Sequence, residues 1–373
     1  MQKEVRALAI WSAHRQFEEL AGFFVSLAMV LLIAATTFAD EGLAVEKKDS
    51  SLFLSFKGNP EKLPSGATKS PKIVLISGDD EYRSEEALPV LAKILSEQHG
   101  MDCIVSFSIN PENNSVDPNY HFNNPGLENL ADADAMILFT RFREWPTDQM
   151  KHFEEYVERG GPIIALRTAT HPFVFGSKSD SPYKDWSWDS KKWPGGFGQN
   201  IIGETWYSHH GKHKVESARA VIEPGQESNP ILRGVSDVWA PSDVYGVVHL
   251  PKDAQVLMRG QVLSGMEPTD AAVTDGRNEP MMPLAWTKAY QYKDGREGKV
   301  FCSTMCSSVD LLNEGLRRLM VNATYWAVGL EDNIPDSASV ELPADYKPTF
   351  FGFHNEPGYF SKQNKKPADY LPE

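Results

Sequence analysis

The stretch Gly160-Gly161-Pro162-Ile163-Ile164-Ala165-Leu166-Arg167-Thr168-Ala169-Thr170-His171-Pro172 constrains the fold of this chain more than any other. Two glycines end a helical pattern, a short unbroken apolar run follows, and the run stops at a charged residue and a cluster of Thr, His and Pro. An apolar run without alternation is what a parallel strand buried on both faces requires, and the polar break marks its carboxyl end opening into a crevice. In open α/β sheets that crevice is where ligands bind, so Arg167 and His171 are the first candidate residues.

The pattern recurs upstream. Residues 71–77 read as a buried strand ending at Gly78-Asp79-Asp80-Glu81-Tyr82-Arg83, and residues 102–107 and 134–140 as two more, the last ending at Arg141-Phe142-Arg143. Between them lie a helix with Leu88, Leu91, Ile94 and Leu95 on one face and another with Met150, Phe153 and Val157. Pro89 is expected in or near the first turn of its helix, since deeper in it removes a hydrogen bond. The order β-α-β-β-α-β with short connections predicts a parallel sheet with helices on both faces. Further strand-like runs at 218–222, 254–258, 283–286 and 299–302 lead into a last helix with Leu316, Leu319, Met320, Ala323 and Trp326 on one side. Residues 40–70 read as a linker with at most an edge strand at Leu52–Leu54, and the Pro-rich residues 331–373 as an extended arm.

Residues 21–39 form an apolar run whose end, Thr37-Phe38-Ala39-Asp40, suits signal cleavage. The chain is therefore expected to be exported to the periplasm or beyond, with an uncleaved anchor as the lesser alternative. The formal net charge is −14, and Lys3, Arg6 and Arg15 balance Glu4, Glu18 and Glu19 in the leader. So acidic a mature chain is a poor non-specific partner for nucleic acid or anionic lipid. The three cysteines, Cys103, Cys302 and Cys306, form no disulfide framework and lack zinc-knuckle spacing.

If the sheet is parallel, the strand tails converge on one rim: Asp79 to Arg83, Arg141 and Arg143, Arg167 to His171, and Thr304 to Cys306. These arginines either pair with Asp79, Asp80, Glu81 and Glu85 to hold the rim together, or some face a polar ligand for which the guanidinium fork is suited. The insertion 172–216 carries Trp186, Trp188, Trp193 and Trp206 with His209, His210 and His213, and is expected to cover the crevice. Its tryptophans are a secondary core or platforms for sugar rings. Its histidines read as hydrogen-bonding or acid–base groups before metal ligands, because Gly211 interrupts the helical spacing of His209 and His213. Asp243 and Tyr245, two apart in a turn-like stretch, can both reach the rim from a loop.

Several segments together resemble the trehalose-utilization (ThuA-like) family, which adopts the class I glutamine amidotransferase-like fold. They are Lys72–Arg83, Gly160–His171, Ile202-Gly203 with His209-His210, Asn229–Gly234, Asp243-Val244-Tyr245, Pro283–Trp286, and Gly298–Phe301 followed by the Asn322–Ala327 helix. The resemblance covers about residues 71 to 330. It implies a flavodoxin-like three-layer α/β sandwich with a mostly parallel central sheet, and a role near sugar metabolism on disaccharides or their keto derivatives. The chain departs from the family pattern where Arg167 stands for a residue often His, at Ser242-Asp243-Val244-Tyr245, and at Met305-Cys306.

The resulting expectation is an exported protein that binds or acts on a sugar or keto-sugar. His171, His210, Asp243 and Tyr245 are the candidate catalytic residues. Asp80, Tyr82, Arg83, Arg141, Arg143, Arg167, Thr168, Trp206 and His209 are the candidate substrate-binding residues. No cofactor and no metal are expected, with zinc or another divalent ion as the lesser alternative. The rival readings are a non-catalytic carbohydrate-binding module and a metal-dependent hydrolase built on His209, His210 and Asp243. The expected partner is a sugar-like small molecule, with no nucleic acid and no membrane once the leader is cleaved; assembly into a homo-oligomer is left open. Glutaminase activity is not expected, because Arg167 occupies the place of the nucleophile.

Overall fold

The structure, a computed structural model, describes residues 50–372; the expected leader lies outside them. The strands in chain order are β1 (Phe53–Phe56), β2 (Lys72–Gly78), β3 (Asp102–Ser106), β4 (Ile109–Asn110), β5 (Ser115–Val116), β6 (Ala135–Thr140), β7 (Ile163–Leu166), β8 (Ser208–His209), β9 (Ala218–Ile222), β10 (Trp239–Ala240), β11 (Tyr245–Gly246), β12 (Gln255–Val262), β13 (Met282–Tyr290) and β14 (Gly298–Ser303). The α-helices are α1 (Ser84–Lys93), α2 (Thr147–Glu158), α3 (Glu314–Ala327) and the short α4 (Tyr359–Gln363).

Ten strands form one sheet in the order β1-β3-β2-β6-β7-β14-β13-β12-β9-β10. From β3 to β14 every pairing is parallel. Numbered among themselves along the chain, these five strands lie in the order 2-1-3-4-5, the flavodoxin-like arrangement. The remaining pairings are antiparallel: β1 guards one edge, and β13, β12, β9 and β10 extend the other. The parallel character read from the apolar runs thus holds for the centre, while the later runs fold back as antiparallel neighbours.

Alternation along β2 shows why its run has no polar position. Ile73 and Leu75 join α1 and α3 in one core, and Val74 and Ile76 join α2 in the other. Burial on both faces excludes polar side chains at every position. Pro89 lies inside α1, beyond its first turn, and a π-type turn at Ile94–Gln98 continues the helix. Lacking an N–H, Pro89 cannot bond the carbonyl four residues back. The expected edge strand is present as β1, paired antiparallel with β3. No helix among the described residues is long and apolar enough to cross a membrane.

Candidate functional site

In the 2-1-3-4-5 order, the connections leaving β2 and β6 run to opposite sides of the sheet, and a crevice opens between their carboxyl ends. The residues that follow these strands line a cavity of about 320 Å³ whose walls include Glu81, Arg141, Phe142, His171, Trp206, His209, His213, Lys214, Tyr245 and Phe353. Asp79 shapes the β2 tail by accepting the backbone N–H groups of Glu81 (2.7 Å) and Tyr82, and the Thr168 hydroxyl donates to its other oxygen. Burial, then the adjacent Asp80, pushes the Asp79 carboxyl up to about 6.

Asp243 is the hub beneath the cavity. β11 pairs antiparallel with β8, placing Tyr245 opposite His209 and Gly246 opposite Ser208. A Cβ on Gly246 would stand 2.8 Å from Ser208 Oγ, so glycine permits the close pairing. Asp243, just before β11, accepts from His209 Nδ1 (2.7 Å), His213 Nδ1 (3.0 Å) and Arg167 Nη2 (2.9 Å). Burial alone would raise its carboxyl, but Arg167 and the two histidines hold it well below the usual carboxylate range. Residues 210–215 are a turn, not a helix; they fold back at Gly211 and bring the two imidazoles to 4.6 Å between centroids.

His213 bridges two acids, since its Nε2 stands 3.1 Å from Glu81 Oε1. Partial burial works against its charge, yet the bonds to Asp243 and Glu81 raise its pKa to about 9. His171 is the opposite case. Burial, and then the Arg141 guanidinium, push it well below the ordinary value, so it is neutral, with Nδ1 3.0 Å from the Thr170 hydroxyl. Phe142 (φ 51°), Arg167 (φ 44°) and Lys214 (φ 60°) are held in the left-handed region around this site. Each such residue costs about 1–3 kcal/mol, and strain of this kind concentrates at functional sites.

The chain beyond the sheet supplies another wall. Gly352 N–H donates to Glu81 O at 2.8 Å. Phe351 is buried with its ring 5.2 Å from Tyr82 and 5.5 Å from His213. Phe353 lies over the Arg141 guanidinium at 4.8 Å, and Phe142 stacks on Arg141 at 4.5 Å.

Of the residues expected in the site, His171, Tyr245, Arg141, Trp206 and His209 line the cavity. Five others do not. Arg167 is fully buried; its Nη groups donate to Asp243 O (2.7 Å), Thr304 O (2.6 Å), Tyr82 Oη (3.0 Å) and Asp243 Oδ1, so it orients the hub and has no free fork for a ligand. Arg143 is also fully buried and bonds Arg141 O, Ser108 Oγ and Pro118 O, fixing the loop that follows β5. Arg83 pairs with Glu85 and Glu86. Thr168 is committed to Asp79. His210 turns away, donating from Nε2 to the Arg277 carbonyl at 2.7 Å, which removes it from the catalytic set. Asp80 and Tyr82 act from behind the wall, Asp80 on Arg141 Nη1 (3.0 Å) and Tyr82 against Arg167.

Glu81, His213 and Lys214 sit beside residues the sequence already flagged, but Phe142, Phe351 and Phe353 carried no signal beyond their place after β6 and in the terminal arm. The tryptophans divide. Trp186 packs with Phe153, Phe173 and Phe197 in a secondary core, and Trp206 stands at the cavity beside His171. A larger groove, about 500 Å³, lies at the opposite end of β7 around Gly160, Pro162, Lys288 and Lys299. Its lysines already donate to the carbonyls of Ile201 and Trp326.

Among the described residues, His209, His213 and Asp243 are the one group of metal-ligating side chains whose ligand atoms gather, all within 4.8 Å of one another.

Two ThuA-like proteins are among the solved structures similar to the chain. One is a putative ThuA-like protein from Bacteroides uniformis ATCC 8492, 16% identical, with 71% of this chain and 94% of that one covered and a TM-score of 0.42. The other is a putative ThuA-like protein from Parabacteroides merdae ATCC 43184, also 16% identical, with 80% and 99% covered and a TM-score of 0.45. No curated protein matches the chain significantly. The family model ThuA, trehalose utilisation, matches residues 72–327, a span from the first residue of β2 to the last of α3. The chain belongs to the ThuA family of trehalose utilisation, a family with a role in the use of carbohydrates.

Proposed function

We propose that the protein binds a sugar or ring-oxidised keto-sugar in the cavity at the ends of β2 and β6 and acts on it by acid–base chemistry. The observation that supports this most is the Asp243–His209 pair. An ionised carboxylate only accepts, so His209 Nδ1 carries a proton, and in the neutral tautomer this fixes, Nε2 is the basic atom of the ring. In a keto-sugar, Nε2 takes the proton from the carbon next to the carbonyl, and the electron pair of the broken C–H bond moves onto the carbonyl oxygen. The positive His213 stabilises the developing enolate charge in a partly dehydrated site. Trp206 and Phe142 offer apolar faces to the C–H side of a sugar ring, while neutral His171 and Tyr245 supply polar edges. The leader at residues 21–39 would place this activity outside the cytoplasm.

The test is exchange of the carbon-bound proton in deuterated water, followed by NMR, with glucosides and trehalose carrying a ring ketone. Wild-type protein should catalyse exchange, and His209→Gln should slow it by about 10²-fold or more. Absence of exchange, or exchange indifferent to His209→Gln, defeats the reading.

The gathering of His209, His213 and Asp243 favours a second reading, a divalent metal that activates water. Against it, Arg167 already stands 2.9 Å from the Asp243 carboxylate, and His213 would have to shed a proton. Elemental analysis of the purified protein separates the two: stoichiometric zinc or another divalent ion favours the second.

A further inference from the structure

We infer that the sugar this cavity selects carries a carboxylate, as in a uronic or aldonic acid; the inference rests on the sugar-binding reading above. The acids at the cavity are each already occupied. Asp80 is held by Arg141 Nη1 (3.0 and 3.2 Å) and stands 3.4 Å from His121. Glu81 faces His213, and Asp243 is bonded by Arg167, His209 and His213.

Two cations keep donors free. Arg141 commits only Nη1; its Nε and Nη2 have no protein partner among the described residues, although the side chain is only 20% exposed. The guanidinium carbon lies over the rings of both Phe142 and Phe353, 4.5 and 4.8 Å from their centroids. A planar fork fixed in this way, with one edge open, matches a carboxylate in two-point contact better than a lone hydroxyl.

Lys214 is the second cation. It lines the same cavity with no ion-pair or hydrogen-bond partner among the described residues, and its backbone is held at φ 60°, a conformation lysine rarely adopts. A Cβ on Gly352 would stand 2.7 Å from Lys214 Nζ, so the ammonium group rests against the terminal arm at this wall. In a chain with a formal net charge of −14, a guanidinium with a free Nε–Nη2 edge and an unpaired ammonium group at one small cavity do not reflect general surface basicity. Arg141 and Lys214 lie within residues 72–327, whereas Phe353 and Gly352 lie beyond them, so the terminal arm adds a wall to a site whose cations belong to the family domain.

Isothermal titration at fixed ionic strength with glucuronate, its methyl ester and glucose tests the inference. Glucuronate should bind about tenfold or more tightly than either neutral sugar, the scale of one charge-assisted contact. Arg141→Gln should remove that preference. Lys214→Gln should reduce it without lowering the melting temperature, since no protein partner is lost. Glucose binding as well as glucuronate overturns the inference and leaves the sugar reading standing. Equal loss of both ligands in Arg141→Gln also overturns it. Failure of all three to bind overturns the inference, and overturns the sugar reading as well only where the ring-ketone sugars also show no proton exchange.

Discussion

The Asp243 carboxylate lies 2.9 Å from Arg167 Nη2, and neither side chain is open to solvent. Tyr82 and Tyr245 cover the guanidinium, which stands 4.4 and 3.9 Å from their ring centroids. A charge buried this completely is tolerable only because its partner and its hydrogen bonds are in place. Arg167 thus does for Asp243 what Asp243 does for His209: each fixes the next group toward the cavity.

Arg167→Ala should lower stability by about 3–5 kcal/mol, because it leaves the Asp243 carboxylate buried and the carbonyls of Asp243 and Thr304 without their donor. Urea unfolding curves read this directly. A variant as stable as wild type that merely fails to bind sugar would show instead that the guanidinium serves the ligand.

Glu85 gives a pH signature away from the site. It is fully buried, and burial raises its carboxyl to about 7 against the opposing pull of Arg83. A raised pKa means the folded state holds the proton more tightly than the unfolded one. The contribution is therefore complete below the ordinary value of 4.5 and is lost as pH rises through about 7. Glu85→Gln should remove a pH-dependent loss on the order of 2–3 kcal/mol across that window. Melting temperatures of both proteins from pH 4.5 to 8 check it, and parallel curves would contradict it.

Phe351→Ala should cost about 3 kcal/mol or more, the scale of an emptied aromatic site, because its ring is 2% exposed between Tyr82 and His213. Phe353→Ala, on a ring 44% exposed, should stay within about 0.5 kcal/mol of wild type. Equal melting temperatures for the two variants would mean that the terminal arm does not dock as described.

The protein should release no ammonia from glutamine. At the turn after β7 stands Arg167, which presents donors only. The nearby thiol, Cys306, is buried, and burial raises its pKa well above the ordinary value, so it stays protonated and inert. Glutamine-dependent ammonia release that disappears on alkylation of Cys306 would refute this.

The parallel centre of the sheet was legible in the sequence because its cause is local. A strand covered on both faces can carry no polar residue, so Ile73–Ile76, Met136–Phe139 and Ile163–Leu166 announce themselves, and the first polar residue after each marks the rim. Arg141 and His171 followed from that logic, and Trp206, His209 and Tyr245 from the loops that reach the same rim. Whether a rim arginine faces a ligand or a buried acid depends on partners far away in the chain: Asp243 is 76 residues from Arg167, and Thr304 is 137. No local pattern encodes that distance, so Arg167, Arg143 and Arg83 read as ligand-facing in the sequence while the structure engages them with protein partners. The same holds for His210 and His213, three apart, where the turn at Gly211 and the β8–β11 pairing decide which imidazole meets Asp243. Phe351 and Phe353 are the extreme case. In sequence they are two aromatics in a Pro-rich tail, and only the folded path of that tail brings them onto Tyr82, His213 and Arg141. Burial leaves its mark on every residue of a strand, whereas a contact between distant segments leaves none, so the sheet could be read from the chain and the site required the tertiary structure.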